Sequence, residues 1–389
     1  MLPLPAQMAA SQPMRLIFDA NGGAQALLDV EAGLARANAA IGAISPDAAA
    51  AIIAACDANG PALNLDHAAL AEAGAHAGTI VIPLVAWLRA QVPDHAQAVH
   101  RAGTSQDIID TALVLQLRQG LVLLDHDADA MITSLTDLAR THAATPMIAR
   151  TLLQPALPTT FGLKAAQYLA MLHDIRHALR HAADHALLLQ YGGAAGTRDG
   201  LGADTARFIT AFAASLDLPA SKLPWHTNRA PLARLGCAIA AARGSLGKIA
   251  TDIVLLMQAE IAEAREPTAP GRGGSSAMAH KHNPTLSIIV RAAALRAPHL
   301  AATLLSAIPQ EHERAAGAWQ AEQSVWPDLM LTASGAFAAM RDSLAGLIID
   351  PEAMARNLAL APTTAPSPAI PSMIDAACMP PTAPNLTKA

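Results

Sequence analysis

Apolar side chains recur at intervals of three and four residues through most of the chain, which is the spacing of one face of an α-helix. Strand-like alternation of apolar and polar residues is nearly absent. The pattern predicts a helix at about residues 18–43, short helices up to residue 99, and long helices at about 105–141, 158–190, 232–265 and from Pro284 onward. Polar or glycine-rich connections at 145–157, 191–203 and 266–283 separate the long helices. Because these helices exceed the usual three or four turns, the sequence predicts an all-α protein built around a long helical bundle.

Helix length and composition divide the chain into three parts. Residues 1–100 are predicted to form a smaller helical N-terminal domain, because glycine and proline interrupt the short helices there. Residues 101–348 form the predicted central bundle. Residues 349–389 form a short C-terminal tail rich in proline and alanine, which we expect to be mostly disordered or extended.

Composition and charge argue against some classes of function. Of the 389 residues, 52% are hydrophobic but only 3% are aromatic, since alanine, the best helix former, is abundant. The formal net charge is -5, so no global basic field attracts nucleic acid. The most apolar run, residues 77–88, is too short to span a bilayer and contains Pro83. The 3 widely spaced cysteines and the lack of a signal-peptide pattern predict a cytoplasmic protein with no nucleic-acid or membrane partner.

The segment 271–284, GRGGSSAMAHKHNP, carries the strongest chemical signal. Glycine and serine residues before a helix offer backbone N–H groups to an anion. Lys281 and Asn283, at a K-x-N spacing, add a charge and an amide donor. An ordinary linker is the alternative, but a linker has no need of this spacing of Ser, Met, Lys and Asn. The segment therefore predicts an anion-binding loop.

Thr104-Ser105-Gln106-Asp107 places a hydroxyl at a helix start and a carboxylate three residues later. This is the spacing of a capping box, and a plain N-cap is as good an interpretation as a ligand site. A helix N-terminus also carries partial positive charge and free N–H groups, which suit a carboxylate. Arg314 is a second candidate, because guanidinium binds carboxylates bidentately. Its alternative is a solvated helix face.

Several segments together resemble the fumarase/aspartase superfamily. The 271–284 segment resembles its signature G-S-S-x-M-P-x-K-x-N-P, and TSQDIIDTAL from Thr104 and RTLLQPALPTTFGLK from Arg150 resemble its other two regions. Within the superfamily, about residues 14–350 are similar to the bacterial 3-carboxy-cis,cis-muconate cycloisomerase family. Further segments typical of that family occur here in the same order: LQYGGAAGT at 189–197, PWHT at 224–227 and QEHERAAGAW at 310–319.

The resemblance implies a fumarase/aspartase-like bundle and a cofactor-free cycloisomerase that interconverts 3-carboxy-cis,cis-muconate and 4-carboxymuconolactone through an aci-carboxylate intermediate. It implies that Ser275 is the catalytic residue and that no metal takes part. It also implies a homotetramer with active sites shared between chains, acting on a small tricarboxylate in the protocatechuate branch of the beta-ketoadipate pathway. The substrate-binding residues implied in the same way are His100, Thr104, Ser105, Thr151, Gln154, His226, Ser276, Met278, Lys281, Asn283 and Arg314.

Leu152 departs from the superfamily pattern, in which elimination enzymes such as argininosuccinate and adenylosuccinate lyases usually carry histidine. Leucine cannot give a proton to a leaving nitrogen. A substrate carboxylate, with a reference pKa of about 4, needs no such proton at neutral pH. Leu152 therefore favours cycloisomerisation, and a fumarate-releasing lyase or an inactive lyase-fold binding protein is the alternative. Ala279 and His282 also depart from the usual loop sequence, and the region after Asp350 is short where relatives have a third helical domain.

His173, His177, His181 and His185 form a stripe along one predicted helix. Histidines at this spacing can chelate a transition metal, but no Cys or Glu completes a set of ligands. We expect an exposed polar face and no metal. The glycines within 192–196 follow a helix rather than a strand and match no nucleotide fingerprint, so we expect no nucleotide cofactor.

Overall fold

The computed structural model describes residues 4–199, 201–274, 278, 281–360 and 364–379, which are mostly helical with few strands, as the sequence predicts. The helices before the bundle are α1 (Leu4–Met8), α2 (Gln12–Phe18), α3 (Ala20–Ala40), α4 (Pro46–Cys56), α5 (His67–Ala77) and α6 (Val81–Gln91). The later helices are α7 (Ser105–Thr141), α8 (Phe161–Ala186), α9 (Thr205–Ser215), α10 (Ala230–Leu256), α11 (Thr285–Ser306), α12 (Ala318–Gln323), α13 (Val325–Ala345), α14 (Pro351–Leu358) and α15 (Ile370–Cys378). Two small antiparallel sheets pair β1 (Pro146–Thr151) with β2 (Gln154–Thr160), and β3 (Ala264–Arg265) with β4 (Ile348–Ile349).

The centre of the molecule is a bundle of the long helices α7, α8, α10, α11 and α13. α7 has 37 residues and is therefore about 55 Å long. Its observed limits agree with the predicted run at 105–141. Side chains of α13 such as Trp326, Phe337 and Met340 are fully buried between the helices. The long-bundle prediction is confirmed.

Two helices are shorter than the sequence predicts, and local pairing explains both. α8 begins at Phe161 because Pro158 pairs with β1 and the Thr160 side chain caps the helix by accepting from the Leu163 amide at 3.2 Å. α10 ends at Leu256 rather than near residue 265, because the chain turns there and forms β3.

The connection at 145–157 contains most of a β-hairpin that the weak alternation of its residues did not predict. Thr151 pairs with Gln154, so the turn between β1 and β2 consists of Leu152 and Leu153 alone. Their φ angles are 53° and 64°, in the left-handed region, as a type I′ hairpin turn requires. Both side chains project into solvent, with exposed fractions of 96% and 71%. A strained backbone thus presents two leucines at an exposed tip.

The expectation of a mostly disordered or extended tail after residue 348 is wrong for its described part. Asp350 starts α14 by accepting from the Ala353 amide at 2.8 Å, and Pro351 takes the first helical position. α15 buries Ile370 and Ile374 in a cluster with side chains of α8. Proline misled the sequence interpretation, because in both helices it stands in the first turn, where it is favourable.

The N-terminal helices share a core with the bundle. One continuous cluster of buried apolar side chains runs from Met14 to Leu344. The division of the chain at residues 100 and 348 therefore stays a prediction.

α11 is, within the described residues, the one helix long and apolar enough to cross a membrane by length and composition. An 18-residue window of it has a mean hydropathy of 1.4, and 28% of that window is buried. One such helix is weak evidence for a membrane span, since the core helix of a soluble protein passes the same test.

Candidate active site

α7 begins beside two hydroxyl residues, Thr104 and Ser105, and the carboxylate of Asp107. The Thr104 amide donates to Asp107 Oδ2 at 3.3 Å within a capping box. In the part of the chain that the structure describes, the amides of Ser105 and Gln106 have no hydrogen-bond partner. Thr104 and Ser105 are only partly buried. The helix start therefore keeps donors that a carboxylate ligand can use.

Asp107 is fully buried and accepts hydrogen bonds on both oxygens. Oδ1 accepts from the Gly192 amide at 2.9 Å and from His226 Nε2 at 2.6 Å, and Oδ2 accepts from the Gly193 amide at 3.0 Å. His226, one of the predicted substrate ligands, is itself only 4% exposed. Asp107 thus ties the start of α7 to the 191–203 connection and to the segment that precedes α10.

A buried ion cluster lies one turn further along α7. Arg229 is 1% exposed and donates to Asp110 at 2.8 and 3.1 Å and to Glu322 at 2.8 and 3.1 Å. Trp319 Nε1 also donates to Asp110, at 3.0 Å. Burial raises the pKa of Glu322, and Arg229 opposes the shift. Burial alone would lower the pKa of Arg229, but the two carboxylates together raise it above its usual range.

Arg314 reaches the start of α7 from the loop before α12, so the alternative of a solvated helix face does not apply. Its Nη1 donates to Gln106 Oε1 at 2.9 Å, and its Nη2 donates to the carbonyls of Gly193 and Ala194 at 2.5 and 3.1 Å. No carboxylate of the described chain forms an ion pair with it. Burial lowers the pKa of Arg314, and nearby carboxylates oppose this. The guanidinium is therefore available to a carboxylate ligand.

His100 stands in the turn just before α7. Its φ is 60°, and its Nδ1 lies 2.6 Å from Oε1 of the buried Glu31. Asn38 holds the same turn by donating to the Arg101 carbonyl at 3.0 Å. Both anchors belong to α3, so an N-terminal helix sets the position of this histidine.

The 271–284 segment is only partly described. Ser275, the predicted catalytic residue, and Ser276 lie outside the described residues. The ends of the segment meet, because the Asn283 amide donates to the Gly273 carbonyl at 2.8 Å and Asn283 Nδ2 donates to the Gly274 carbonyl at 3.4 Å. Asn283 is thus partly engaged in closing the base of its own loop.

Lys281 and Met278, also predicted to bind substrate, are exposed. Lys281 lines a cavity of about 520 Å³ together with Arg265, His282 and Asp350. Lys281 and Arg265 outnumber the one carboxylate in this lining, which agrees with the predicted anion-binding character of the loop.

The start of α11, directly after this loop, is already occupied by a protein carboxylate. Glu266 is 5% exposed and accepts from the amides of Leu286 and Ser287 at 3.0 and 2.7 Å. These amides are therefore not free to bind a ligand, in contrast with those at the start of α7.

Thr151 and Gln154 flank the exposed tip of the hairpin. Below them, Arg150 donates to both oxygens of Glu263 at 2.9 and 2.7 Å, and Asn357 donates to the same carboxylate at 2.8 Å. The base of the hairpin is therefore fixed to β3 and α14, while the tip points away from the described chain.

The structure gathers some of the predicted site residues and separates others. His100, Thr104, Ser105, His226 and Arg314 lie together at the start of α7. The 271–284 segment is anchored elsewhere, because Arg272 pairs with Asp342 at 3.3 Å and the adjacent Arg341 pairs with Asp127 at 2.5 Å.

Asp127 is about 33 Å along α7 from Ser105, at 1.5 Å per residue. The hairpin that carries Thr151 and Gln154 follows the far end of the same helix. One chain therefore presents the start of α7 apart from the 271–284 segment and from the hairpin.

Sequence reasoning missed the polar network around the start of α7. Asp110, Arg229, Glu322 and Gln190 were not recognised, although they hold the segments that carry the candidate residues. A signal existed for Asp110, because a lone carboxylate within the apolar run IIDTAL has to face inward on a helix with a buried partner.

The histidine stripe on α8 behaves as an exposed polar face. The rings of His177 and His181 stack with centroids 6.3 Å apart, and those of His181 and His185 lie 4.7 Å apart. A search of the described residues finds no group of 3 or more His, Cys, Asp or Glu side chains that could hold a metal ion.

Comparison with known proteins identifies the family. A family model described as "Lyase" matches residues 7–298. The chain is 46% identical to a 3-carboxy-cis,cis-muconate cycloisomerase of Bradyrhizobium diazoefficiens, over 92% of this chain and 79% of that protein. It is 42% identical to a nitrosuccinate lyase of Streptomyces davaonensis, over 86% of this chain and 72% of that protein.

A solved structure agrees. The crystal structure of the 3-carboxy-cis,cis-muconate lactonizing enzyme from Pseudomonas putida superimposes with a TM-score of 0.86 at 40% identity, covering 91% of this chain and 79% of that one. The fold and these matches define a helical-bundle lyase, and the chain belongs to this lyase family. Three relatives at 43–46% identity carry the name 3-carboxy-cis,cis-muconate cycloisomerase, so the chain is similar to that branch in particular.

Proposed function

We propose that this chain is a cytoplasmic, cofactor-free cycloisomerase that interconverts 3-carboxy-cis,cis-muconate and 4-carboxymuconolactone in protocatechuate catabolism. The observation that carries the proposal is Arg314, a guanidinium beside the start of α7 whose hydrogen bonds all go to neutral oxygens. The free amides of Ser105 and Gln106 belong to the same helix start. A substrate with several carboxylates supplies the direct ion-pair partner that Arg314 does not have among the described residues.

The chemistry forms one C–O bond and moves one proton. A substrate carboxylate adds to the conjugated diene, and the displaced electron pair moves onto a neighbouring carboxylate, which becomes a doubly charged aci-carboxylate. Protonation of the adjacent carbon completes the lactone. Ser275 supplies this proton and regains one from solvent, since the conversion of the trianion into the lactone takes up one proton overall. In the reverse direction Ser275 accepts the proton, and in both directions Lys281 and Asn283 stabilise the dianion.

The tip of the hairpin supports this reaction over elimination of an amine. Leu152 is 96% exposed, and none of Thr151, Leu152, Leu153 and Gln154 titrates near neutral pH. A leaving nitrogen needs a proton donor, whereas a leaving carboxylate does not.

We also propose a homotetramer in which each active site combines residues of several copies. Its support is the separation of the start of α7 from the 271–284 segment and from the hairpin, both of which are anchored about 33 Å or more further along the same helix. The outward face of α11 adds to it, since Ile288, Leu295 and Leu305 are 51%, 76% and 50% exposed. A second copy covers this apolar face in the proposed assembly.

The substrate assignment is tested by following the ultraviolet absorbance of the diene. Purified protein should remove 3-carboxy-cis,cis-muconate saturably, with lactone detected by NMR. Arg314→Ala should raise KM about 10- to 150-fold, the worth of a charge-assisted hydrogen bond. Ser275→Ala should abolish turnover. No loss of absorbance, while a known active relative works in the same assay, overturns the assignment, and release of fumarate from argininosuccinate or nitrosuccinate would replace it.

The shared site is tested by mixing Ser275→Ala, which should not turn over, with Arg314→Ala, which should be slow at substrate concentrations below its raised KM. Turnover of the mixture is therefore compared with that of Arg314→Ala alone. Ser275→Ala and Arg314→Ala tetramers, dissociated and reassembled together, contain some sites with neither substitution if the two residues come from different copies. Turnover above that of Arg314→Ala alone supports the proposal. Mixed tetramers, verified by mass spectrometry, that show no such gain would show that one copy supplies both residues.

A further inference from the structure

We infer that His226 is a positioning residue, which acts through Asp107 to hold Arg314 and the start of α7 in place and does not itself contact the substrate. The inference rests on the proposed function for the identity of the ligand. It assigns His226 a task different from the substrate contact that the sequence resemblance implies.

Burial and packing argue first against direct contact. His226 is 4% exposed, and its Nε2 is committed to Asp107 Oδ1 at 2.6 Å. A Cβ on Gly192 would lie 2.4 Å from His226 Cε1 and 2.8 Å from Pro224 Cβ. The ring therefore fills the space that this glycine leaves open.

Asp107 links His226 to the main chain around the site, because its carboxylate binds the imidazole and several amides at once. Besides the imidazole, its carboxylate accepts from the amides of Gly192, Gly193 and Thr104 at 2.9, 3.0 and 3.3 Å. Four donors from three segments thus meet on one carboxylate. The imidazole bond is the shortest of them and belongs to the segment that leads into α10.

Two acceptors of Arg314 are fixed by this arrangement. The Gly193 carbonyl, next to an amide bound by Asp107, accepts from Arg314 Nη2 at 2.5 Å. Gln106 Oε1 accepts from Arg314 Nη1 at 2.9 Å, and Gln106 Nε2 donates to the main-chain carbonyl of His226 at 2.9 Å. His226 therefore determines where Arg314 is held, through its ring on one side and through its backbone on the other.

Removing the ring should leave Arg314 present but misplaced. A buried carboxylate that loses a donor draws in water or another donor. The peptide at 192–194 then shifts, and with it the guanidinium. The expected consequence is weaker binding of a carboxylate ligand, not the loss of a proton-transfer group.

Two variants with amide side chains, His226→Gln and His226→Asn, distinguish a positioning role of His226 from direct contact with the substrate. In His226→Gln, the amide nitrogen stands four bonds from Cα, as Nε2 does in histidine, so the donor to Asp107 is kept. In His226→Asn, the amide nitrogen is one bond shorter and cannot reach Asp107. Both side chains are polar and neither titrates. Far-UV circular dichroism and melting temperature show whether each variant is folded.

The ligand for the binding measurement is propane-1,2,3-tricarboxylate, which carries three carboxylates and cannot lactonise. By calorimetry, His226→Asn should weaken its binding about 10-fold or more, whereas His226→Gln should stay within about threefold of the unsubstituted protein. The pH profile of kcat/KM for the muconate should keep its shape in His226→Gln. A lost limb of that profile, or equal weakening by both amides, overturns the inference.

A double-mutant cycle that combines His226→Asn with Arg314→Ala tests whether His226 acts through Arg314. If His226 acts through Arg314, His226→Asn costs much less binding when Arg314 is already absent. Additive losses contradict the inference. Calorimetry needs no turnover, so the cycle tests the role of His226 independently of the muconate assay. The cycle can fail while the muconate assay succeeds, and it can succeed on a protein that does not turn over muconate.

Discussion

Substitution of Arg229 tests whether the buried ion cluster holds the start of α7 in place. Arg229→Met leaves Asp110 and Glu322 without a counter-charge at a site where the guanidinium is 1% exposed. Two charges at about 4 Å interact by about 4 kcal/mol at an effective dielectric constant of about 20, and breaking a buried pair costs about 3–5 kcal/mol. We therefore expect Arg229→Met to lower the free energy of unfolding by about 3–5 kcal/mol at pH 8.

The loss should depend on pH with a definite sign. Burial already raises the pKa of Glu322 in the intact cluster, and removing the guanidinium strengthens that shift. A carboxyl group whose pKa is raised in the folded state binds more protons folded than unfolded, so stability falls as pH rises above its unfolded pKa. The destabilisation by Arg229→Met should accordingly be smaller at pH 5 than at pH 8.

Glu322→Gln is the matched control, because it leaves Arg229 and Asp110 as a neutral pair. It should cost no more than about 2 kcal/mol, and adding it to Arg229→Met should recover part of the loss. Urea unfolding followed by circular dichroism at fixed protein concentration measures all three variants. A pH-independent loss for Arg229→Met, or one no larger than that of Glu322→Gln, would refute the electrostatic reasoning.

Three further tests, each with one or two substitutions, have expected outcomes that urea unfolding can measure. Burial lowers the pKa of His142 below its usual value of 6.5, so the unfolded chain binds more protons than the folded chain as pH falls below 6.5. His142→Gln should therefore weaken the decline of stability as pH falls through this range. An unchanged decline would contradict the lowered pKa. Gly23→Ala meets no atom within 4 Å and should stabilise by about 0.5–1 kcal/mol. Gly22→Ala places Cβ 2.1 Å from a main-chain oxygen and should cost about 1–3 kcal/mol, and the reverse order would show that the start of α3 is packed differently. Leu152→Asn with Leu153→Gly suits φ angles of 53° and 64° and should stabilise by about 1–2 kcal/mol, whereas a loss would mean that the leucines themselves hold the turn.

The sequence predicts the long helices well because their signals are local. α7 has a capping box at its start and unbroken helical periodicity, so its limits follow from neighbouring residues alone. The hairpin was missed because Leu152-Leu153 lacks the Asn-Gly signature of a type I′ turn. Its conformation is imposed by strand pairing and by the anchoring of Arg150 to Glu263, residues 113 positions apart.

The candidate site is predictable only as separate motifs. Thr104, Lys281 and Arg314 stand out by residue type and spacing. The contacts that position them do not, because Asp107 meets Gly192 and His226 across 85 and 119 positions. Only the fold brings such residues together, and the capping-box interpretation of Asp107 was correct but accounted for one of its four hydrogen bonds.

The first-turn amides of α7 and α11, the two helices that begin beside the candidate motifs, have different partners. We therefore expect the two helix starts to contribute differently to ligand binding. At α11, Glu266 takes the amides of Leu286 and Ser287. A ligand near the 271–284 segment is therefore not bound by these two amides, and exposed side chains such as Lys281 are available to it. At α7, Asp107 directs most of its hydrogen bonds away from the helix and leaves first-turn amides free. Because a main-chain amide cannot move or titrate, the α7 end suits a carboxylate that keeps its charge throughout, whereas a flexible lysine suits the carboxylate whose charge changes during the reaction.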